Sequence, residues 1–139
     1  MATFQKFNQF VEDLAKGVHN LSTGQLKVAL TNTAPVAANS VYADLTSPLA
    51  TTNLSGATPF NVTTTSCEQT SGTLTLVLVD LTLTATGAVG PFQYVVLYND
   101  TPTSPADPLI GFWDYGSSVT MANTETFVID FAATTISLS

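Results

Sequence analysis

Apolar positions along the chain change their period once. Near the N-terminus Phe4, Phe7, Val11, Leu14 and Val18 recur every three or four residues, with Phe10 widening the stripe. That is the spacing of one face of an α-helix. Gln5, Gln9, Glu12, Asp13 and Lys16 fill the opposite face, Thr3 stands where an N-cap belongs, and Gly17 where the helix should stop. The stripe fits two roles: a helix lying over the flank of a sheet, or an arm docking on a neighbouring subunit.

After Ser22–Thr23–Gly24 the period becomes two and stays two. Leu26, Val28 and Leu30 share one face of a first strand; TAPVAAN is a loop, and SVYADL from Ser40 reads as a short edge-like strand. Ser47 to Pro59, with two prolines and a glycine, reads as a long surface loop, and FNVTTTSCEQT as a polar strand closed by Ser71–Gly72. In Thr73 to Thr86 the leucines at 74, 76 and 78 are even-numbered, yet those at 81 and 83 are odd. A side-chain period of two cannot absorb that, so a bulge, a corner or a break must fall near Val79–Asp80. Phe92 to Tyr98 is apolar on both faces apart from Gln93, as expected at the centre of a packed sandwich. The proline-rich NDTPTSPADP then leads into LIGFWDYG. Ser117 to Met121 and Glu125 to Phe131 form the next expected pair around Ala122–Asn123–Thr124, and Ile136 and Leu138 end a terminal strand. Eight or nine short, turn-spaced strands predict a mainly β chain, an antiparallel β-sandwich of jelly-roll or immunoglobulin-like type with one N-terminal helix. With no linker or repeat, residues 1–139 read as one domain, 1–20 being the helix or arm and 25–139 the sandwich.

Composition sharpens this by exclusion. The chain has three lysines, no arginine and ten acids, a net charge of −7. Such a chain cannot neutralise phosphates, so no nucleic-acid partner is expected. Solubility rests on 24 threonines and 11 serines rather than on ion pairs, and threonine favours pleated, half-buried surfaces. No apolar stretch is long enough to span a membrane, and Met1–Ala2–Thr3 leads directly into the amphipathic segment, so no signal peptide is expected. Cys67 has no second cysteine to pair with and reads as a small, partly buried residue. His19, alone at a helix end, suits a role near the C-terminal carbonyls rather than metal ligation. Asp100 and Asp107 are too sparse in oxygen ligands for a calcium loop. No nucleophile elbow or phosphate loop is present. Asp114, beside Trp113 and Tyr115, is the one carboxylate attractive for glycosidase-like work; its second acid is a guess between Asp80 and Asp130, and alternation turns Asp114 to solvent. No catalytic, cofactor or metal residue is assigned, and an enzyme is not expected.

Several blocks together resemble small structural proteins of tailed bacteriophages: FNQFVEDLAKGVHNL, then LKVALTNTAPVAANSVYADL, GPFQYVVLYND, LIGFWDYG and ETFVIDF, in that order and over about two thirds of the chain. The Ser47–Thr70 region departs from the group, being shorter and poorer in glycine. None of these blocks is a catalytic fingerprint. The resemblance implies a capsid decoration (cement) protein on the outer surface of the virion head, made in the host bacterial cytoplasm. Its partner would be the major capsid protein, and it would form a homo-oligomer on the capsid. A minor tail or head–tail connector protein is the alternative.

Interface cores favour tyrosine, tryptophan and phenylalanine and exclude charge. On that ground Phe4, Phe7 and Val11 of the helix, with Tyr98, Trp113 and Tyr115 of the 92–115 hairpin, are the expected protein-contact residues. A carbohydrate-binding sandwich is a lesser alternative, resting on Trp113, Tyr115, Tyr98 and Tyr94.

Overall fold

The alternation after Gly24 becomes strands in the computed structural model, which describes residues 3–131 and 135–138. In chain order these are β1 (Gln5–Lys6), α1 (Asn8–Ala15), β2 (Leu26–Thr31), β3 (Asn61–Val62), β4 (Thr64–Thr70), β5 (Thr73–Leu78), β6 (Leu81–Thr84), β7 (Val89–Asn99), β8 (Leu109–Met121), β9 (Thr126–Ile129) and β10 (Ile136–Leu138). The fold is mainly β, with antiparallel pairing throughout. A five-stranded sheet, β1-β8-β7-β2-β3, lies across one core from a three-stranded sheet, β10-β5-β4, and a two-stranded one, β6-β9. Ten strands stand where eight or nine were expected among the described residues; β1 and β3, two residues each, are too short to leave a periodicity.

The main core takes Leu26, Val28 and Leu30 from β2, Phe92, Val95 and Leu97 from β7, and Ile110 and Trp113 from β8. Leu76 and Leu78 of β5, Leu83 of β6 and Ile129 of β9 meet them from the opposing sheets. A second cluster covers the outer face of the five-stranded sheet: Val96 and Tyr98 of β7, Leu109 and Phe112 of β8, Ala29 of β2, Phe7 and Leu45. The two-faced apolar pattern of residues 92–98 thus has its cause. β7 is central in its sheet and is covered on both sides.

The mismatch in Thr73–Thr86 resolves as a break. β5 ends at Leu78, Val79 is exposed, and β6 joins a different sheet by pairing with β9 from Leu81↔Ile129 to Thr84↔Thr126. Asp80 stabilises the corner, its Oδ1 accepting the Phe131 N–H at 2.9 Å.

Several expectations need correction. Ser117–Met121 is not a separate strand paired with 125–131; it continues β8, and Val119 and Met121 pair with Phe92 and Val89 of β7. SVYADL forms a 3₁₀ turn, Tyr42–Asp44, rather than a strand, because the Asp44 carboxylate draws the Ser40 and Val41 N–H groups back onto it. Those same bonds hold the Asp44 carboxyl below the usual range. The helix is shorter than its stripe. Thr3 does not cap it; Phe7 is the N-cap, with no side-chain bond. Its C-terminus is as expected: Gly17 adopts φ +77°, Val18 N–H reaches Asp13 O at 2.9 Å and Gly17 N–H reaches Leu14 O at 3.3 Å, a Schellman closure.

Residues 4–7 are extended because β1 adds to the free edge of β8, Gln5 opposite Phe112 and Lys6 opposite Gly111. Alternation then sends the two phenylalanines to opposite faces: Phe4 packs edge-on to Trp113 at 5.2 Å, and Phe7 lies 5.2 Å from Phe112 on the other side. The helix that follows turns Phe10 and Asp13 inward and leaves Val11 46% exposed. An open strand edge is a liability in any sheet, and here the chain covers its own. Gly111 makes the closure possible: a side chain there would overlap the Phe4 ring and stand 2.7 Å from the Gln5 carbonyl. Gly111→Ala should therefore lift β1 off β8 and cost about 1–3 kcal/mol by overpacking. Urea denaturation measures the loss, and an unchanged midpoint would contradict this account of the edge.

Candidate functional site

The six expected contact residues do not form one patch. Phe4 and Trp113 meet on the main-core side of β8, while Tyr98 and Phe7 belong to the outer cluster, where the Tyr98 ring packs 5.0 Å from Tyr42. Tyr115 is half-buried against Phe127 at 5.4 Å. Val11 alone is openly exposed, on the solvent side of α1. Phe7 has no exposed surface, Trp113 retains 6% and Tyr98 9%. These three are consumed by the cores and are not available on the surface of the chain.

Local register explains the placement. Strict alternation along LIGFWDYG would put Ile110, Phe112 and Asp114 on one face and Leu109, Gly111, Trp113 and Tyr115 on the other. The ladder instead shifts between Leu97↔Gly111 and Tyr98↔Leu109, leaving Ile110 as an extra residue. The bulge turns Ile110 into the main core beside Trp113, while Leu109 joins Phe112 outside. A second shift lies between Phe92↔Val119 and Tyr94↔Asp114, where residues 115–118 of β8 stand against Gln93 alone. Phe92 enters the main core, and Tyr94, Val96 and Tyr98 face the outer cluster. The tryptophan is wedged between Phe4 at 5.2 Å and Phe131 at 5.5 Å. Offset and edge-on rings at such distances add to what area burial alone contributes.

Asp114 points outward, as alternation requires. Its Oδ1 accepts the Gln93 Nε2–H at 2.9 Å and the Gly116 N–H at 2.7 Å, and these bonds hold its carboxyl below the ordinary range. These bonds favour the ionised carboxylate, whereas the general acid of glycoside hydrolysis must be protonated. Asp80, one imagined partner, is occupied at its corner by the Phe131 amide.

Asp100 and Asp107 do come together, and the cation beside them is Lys27, whose Nζ lies 3.2 Å from Asp100. Burial, followed by the neighbouring Asp100, pushes the Asp107 carboxyl up. Beside this cluster is an open cleft of about 340 Å³ lined by Lys27, Tyr42, Phe60, Asn61 and Tyr98, near the lower limit of ligand pockets. Sequence reasoning missed it, because its walls come from the 47–61 loop and the 3₁₀ turn, which carry no periodicity. Among the described residues no group of three or more His, Cys, Asp or Glu side chains assembles, and no helix is long and apolar enough to cross a membrane. The half-buried Cys67 thiol is pushed up first by burial, then by Glu68, which lowers its thiolate fraction and its reactivity.

His19 departs most from expectation. It does not reach the carbonyls at the end of α1, which the Gly17 turn satisfies; it is buried, with Nδ1 3.3 Å from the Asn99 side-chain nitrogen at the end of β7. Asp13, assigned by periodicity to the polar face, is buried too, its Oδ1 accepting the Gln9 amide at 3.1 Å.

No protein-family model, no curated protein and no solved structure matches the chain.

The geometry sets two contrasting expectations. Trp113→Ala should cost about 3–5 kcal/mol, the range for emptying a buried large aromatic site, and acrylamide should quench the native tryptophan only weakly. Asp114→Asn should leave the thermal midpoint unchanged. Strong quenching in the folded protein would show that Trp113 faces solvent.

Proposed function

We propose that this protein is a structural component of a tailed-bacteriophage virion, a capsid decoration protein binding the major capsid protein on the outer surface of the head. One observation carries the reading: the five blocks that resemble such proteins converge on one structural unit. FNQFVEDLAKGVHNL supplies the N-cap, helix and turn that follow β1, and LKVALTNTAPVAANSVYADL supplies β2 and the 3₁₀ turn over the outer face. GPFQYVVLYND and LIGFWDYG form the central β7–β8 pair, and ETFVIDF brings Phe127 and Phe131 against Tyr115 and Trp113. The Ser47–Thr70 stretch, where the resemblance fails, forms the long loop with β3 and β4, each at the edge of its sheet. The blocks that carry the likeness thus form the framework of this fold, and the divergent stretch its periphery, where partner-specific contacts are expected to vary.

The surface suits this role. With a net charge of −7 and no arginine, the chain is repelled from packaged DNA and favours an outward position. A decoration protein acts by burying surface across capsomer junctions, about 800 Å² per partner for an interface of standard size. The threonine- and serine-rich loops 47–59 and 99–108 are the adaptable elements for such contacts, and a homo-oligomer on the capsid would multiply them. The sugar-binding alternative loses its tryptophan, which is inside the fold.

Fractionation of phage particles tests the reading. Mass spectrometry should find the protein in purified full heads and not in isolated tails. Recovery in tails alone would replace this reading with the tail or connector one, and absence from both would remove the virion role.

A further inference from the structure

A buried polar triad sits at the seam between α1 and the five-stranded sheet, and the proposed virion role makes no use of it. His19, 6% exposed, lies in the turn between α1 and β2, its ring 5.3 Å from that of Phe10. Asn99, 1% exposed, ends β7, and Asp13, 4% exposed, comes from α1. Two atoms of this group, Asp13 Oδ2 and His19 Nε2, are buried with no hydrogen-bond partner among the described residues. Buried polar atoms are seldom left so, and each instance calls for an explanation.

Neighbouring bonds determine the tautomer of the histidine. Asn99 Oδ1 accepts the Thr101 N–H at 3.1 Å, so the amide presents its Nδ2–H group to His19 Nδ1 at 3.3 Å. Nδ1 must then carry a lone pair, and the neutral ring carries its proton on Nε2. Turned over, the amide would lose the Thr101 bond and set its own NH2 against the Thr101 N–H. The Gly24 N–H is bound to Asn20 O at 2.8 Å, and Asn20 Oδ1 accepts the Ser22 and Thr23 N–H groups at 3.1 Å each. The turn carrying His19 is thus itself well ordered by hydrogen bonds.

Protonation of His19 places an N–H on Nδ1, directly facing the Asn99 amide N–H. Two donors then oppose one another in a buried site. Relief requires either rotation of Asn99, with loss of the Thr101 bond, or departure of the ring. The ring rests on Phe10, so its departure loosens α1 as well. We infer that His19 is an acid-sensitive latch, holding the N-terminal helix to the end of β7 while neutral and releasing it when protonated.

The surrounding charges leave this direction intact. Asp13 faces the ring from α1 and favours its protonated form, but burial is the larger effect and pushes the imidazole below its ordinary value of 6.5. On the sheet side Asp100, next to Asn99, is held by Lys27 of β2 at 3.2 Å, and on the outer face of α1 Glu12 and Lys16 pair with each other at 3.2 Å. A histidine whose folded value is depressed contributes stability that is complete above pH 6.5 and is lost as the pH falls below it.

Amide hydrogen exchange on the full chain at pH 7.5 and pH 5.0, corrected for intrinsic rates, tests this. Protection of α1 amides should fall at least tenfold more than that of β7 amides in the wild type, and equally little for both in His19→Gln, which does not titrate and can offer its carbonyl to Asn99. Identical profiles for wild type and variant would overturn the latch. So would protection of α1 that rises in acid, the sign that Asp13 captures the imidazolium. Should the variant fail to fold, ¹⁵N shifts of His19 in the wild type at pH 7.5 still decide: they should show the Nε2–H tautomer, and an Nδ1–H tautomer would refute the geometry.

Discussion

The β7–β8 pair bears apolar side chains on both faces, and burying both faces is the constraint that places every other element. On one side the requirement brings in β5, β6, β9 and β10 as the opposing layer. On the other it brings in Leu45 with Tyr42 from the 3₁₀ turn, and Phe7 from the N-terminal segment. Antiparallel sheets commonly leave one face to water; this one does so from Asp114 onward, where β8 becomes largely exposed. The aromatic side chains are the means. Phe4, Trp113 and Phe131 form one chain of ring contacts, and Phe92, Phe127 and Tyr115 another. They knit the two layers, and among the described residues both ion pairs, Lys16–Glu12 and Lys27–Asp100, lie outside the core.

Much of this was legible in the sequence, for a physical reason. Period-two alternation in β2, β5 and β6 records burial directly, and the parity change in Thr73–Thr86 located the Val79–Asp80 break because side-chain direction cannot drift along a strand. Failures came where two periodicities share a spacing. Phe4 and Phe7, three apart, fit a helical stripe, yet in an extended strand the same spacing puts them on opposite faces, and here those faces belong to two separate clusters. The inward turn of Asp13 in place of Val11 follows from that shorter helix. The bulge in LIGFWDYG was invisible because a single inserted residue among apolar neighbours, Leu109, Ile110 and Phe112, leaves no polar marker. The cleft at Tyr42 and Tyr98 was hidden for the opposite reason: loop residues carry no period at all.

For function, the aromatic run that looks most like a binding site is structural. Residues that resemble an interface by composition can instead cover a two-faced sheet, and burial separates the two cases. What remains at the surface is hydroxyl-rich, acidic and divided among loops, with Val11, Val36, Val79 and Val128 as scattered large apolar positions. Single exposed apolar residues are ordinary on soluble folds, so recognition of a capsid would rest on shape and on loop hydrogen bonds distributed over many copies. On the proposed role, a small protein with few charged side chains would add to the cohesion of a shell without a dominant anchor.

The proposed role stands or falls on where the sandwich sits in the particle. A cryo-electron microscopy reconstruction of full heads, compared with heads lacking the protein, tests it most directly. The account predicts difference density on the outer capsid surface, at capsomer junctions, into which the two-layered fold docks with its loops 47–59 and 99–108 against the shell. Difference density confined to the head–tail vertex, or none on the shell, would contradict it.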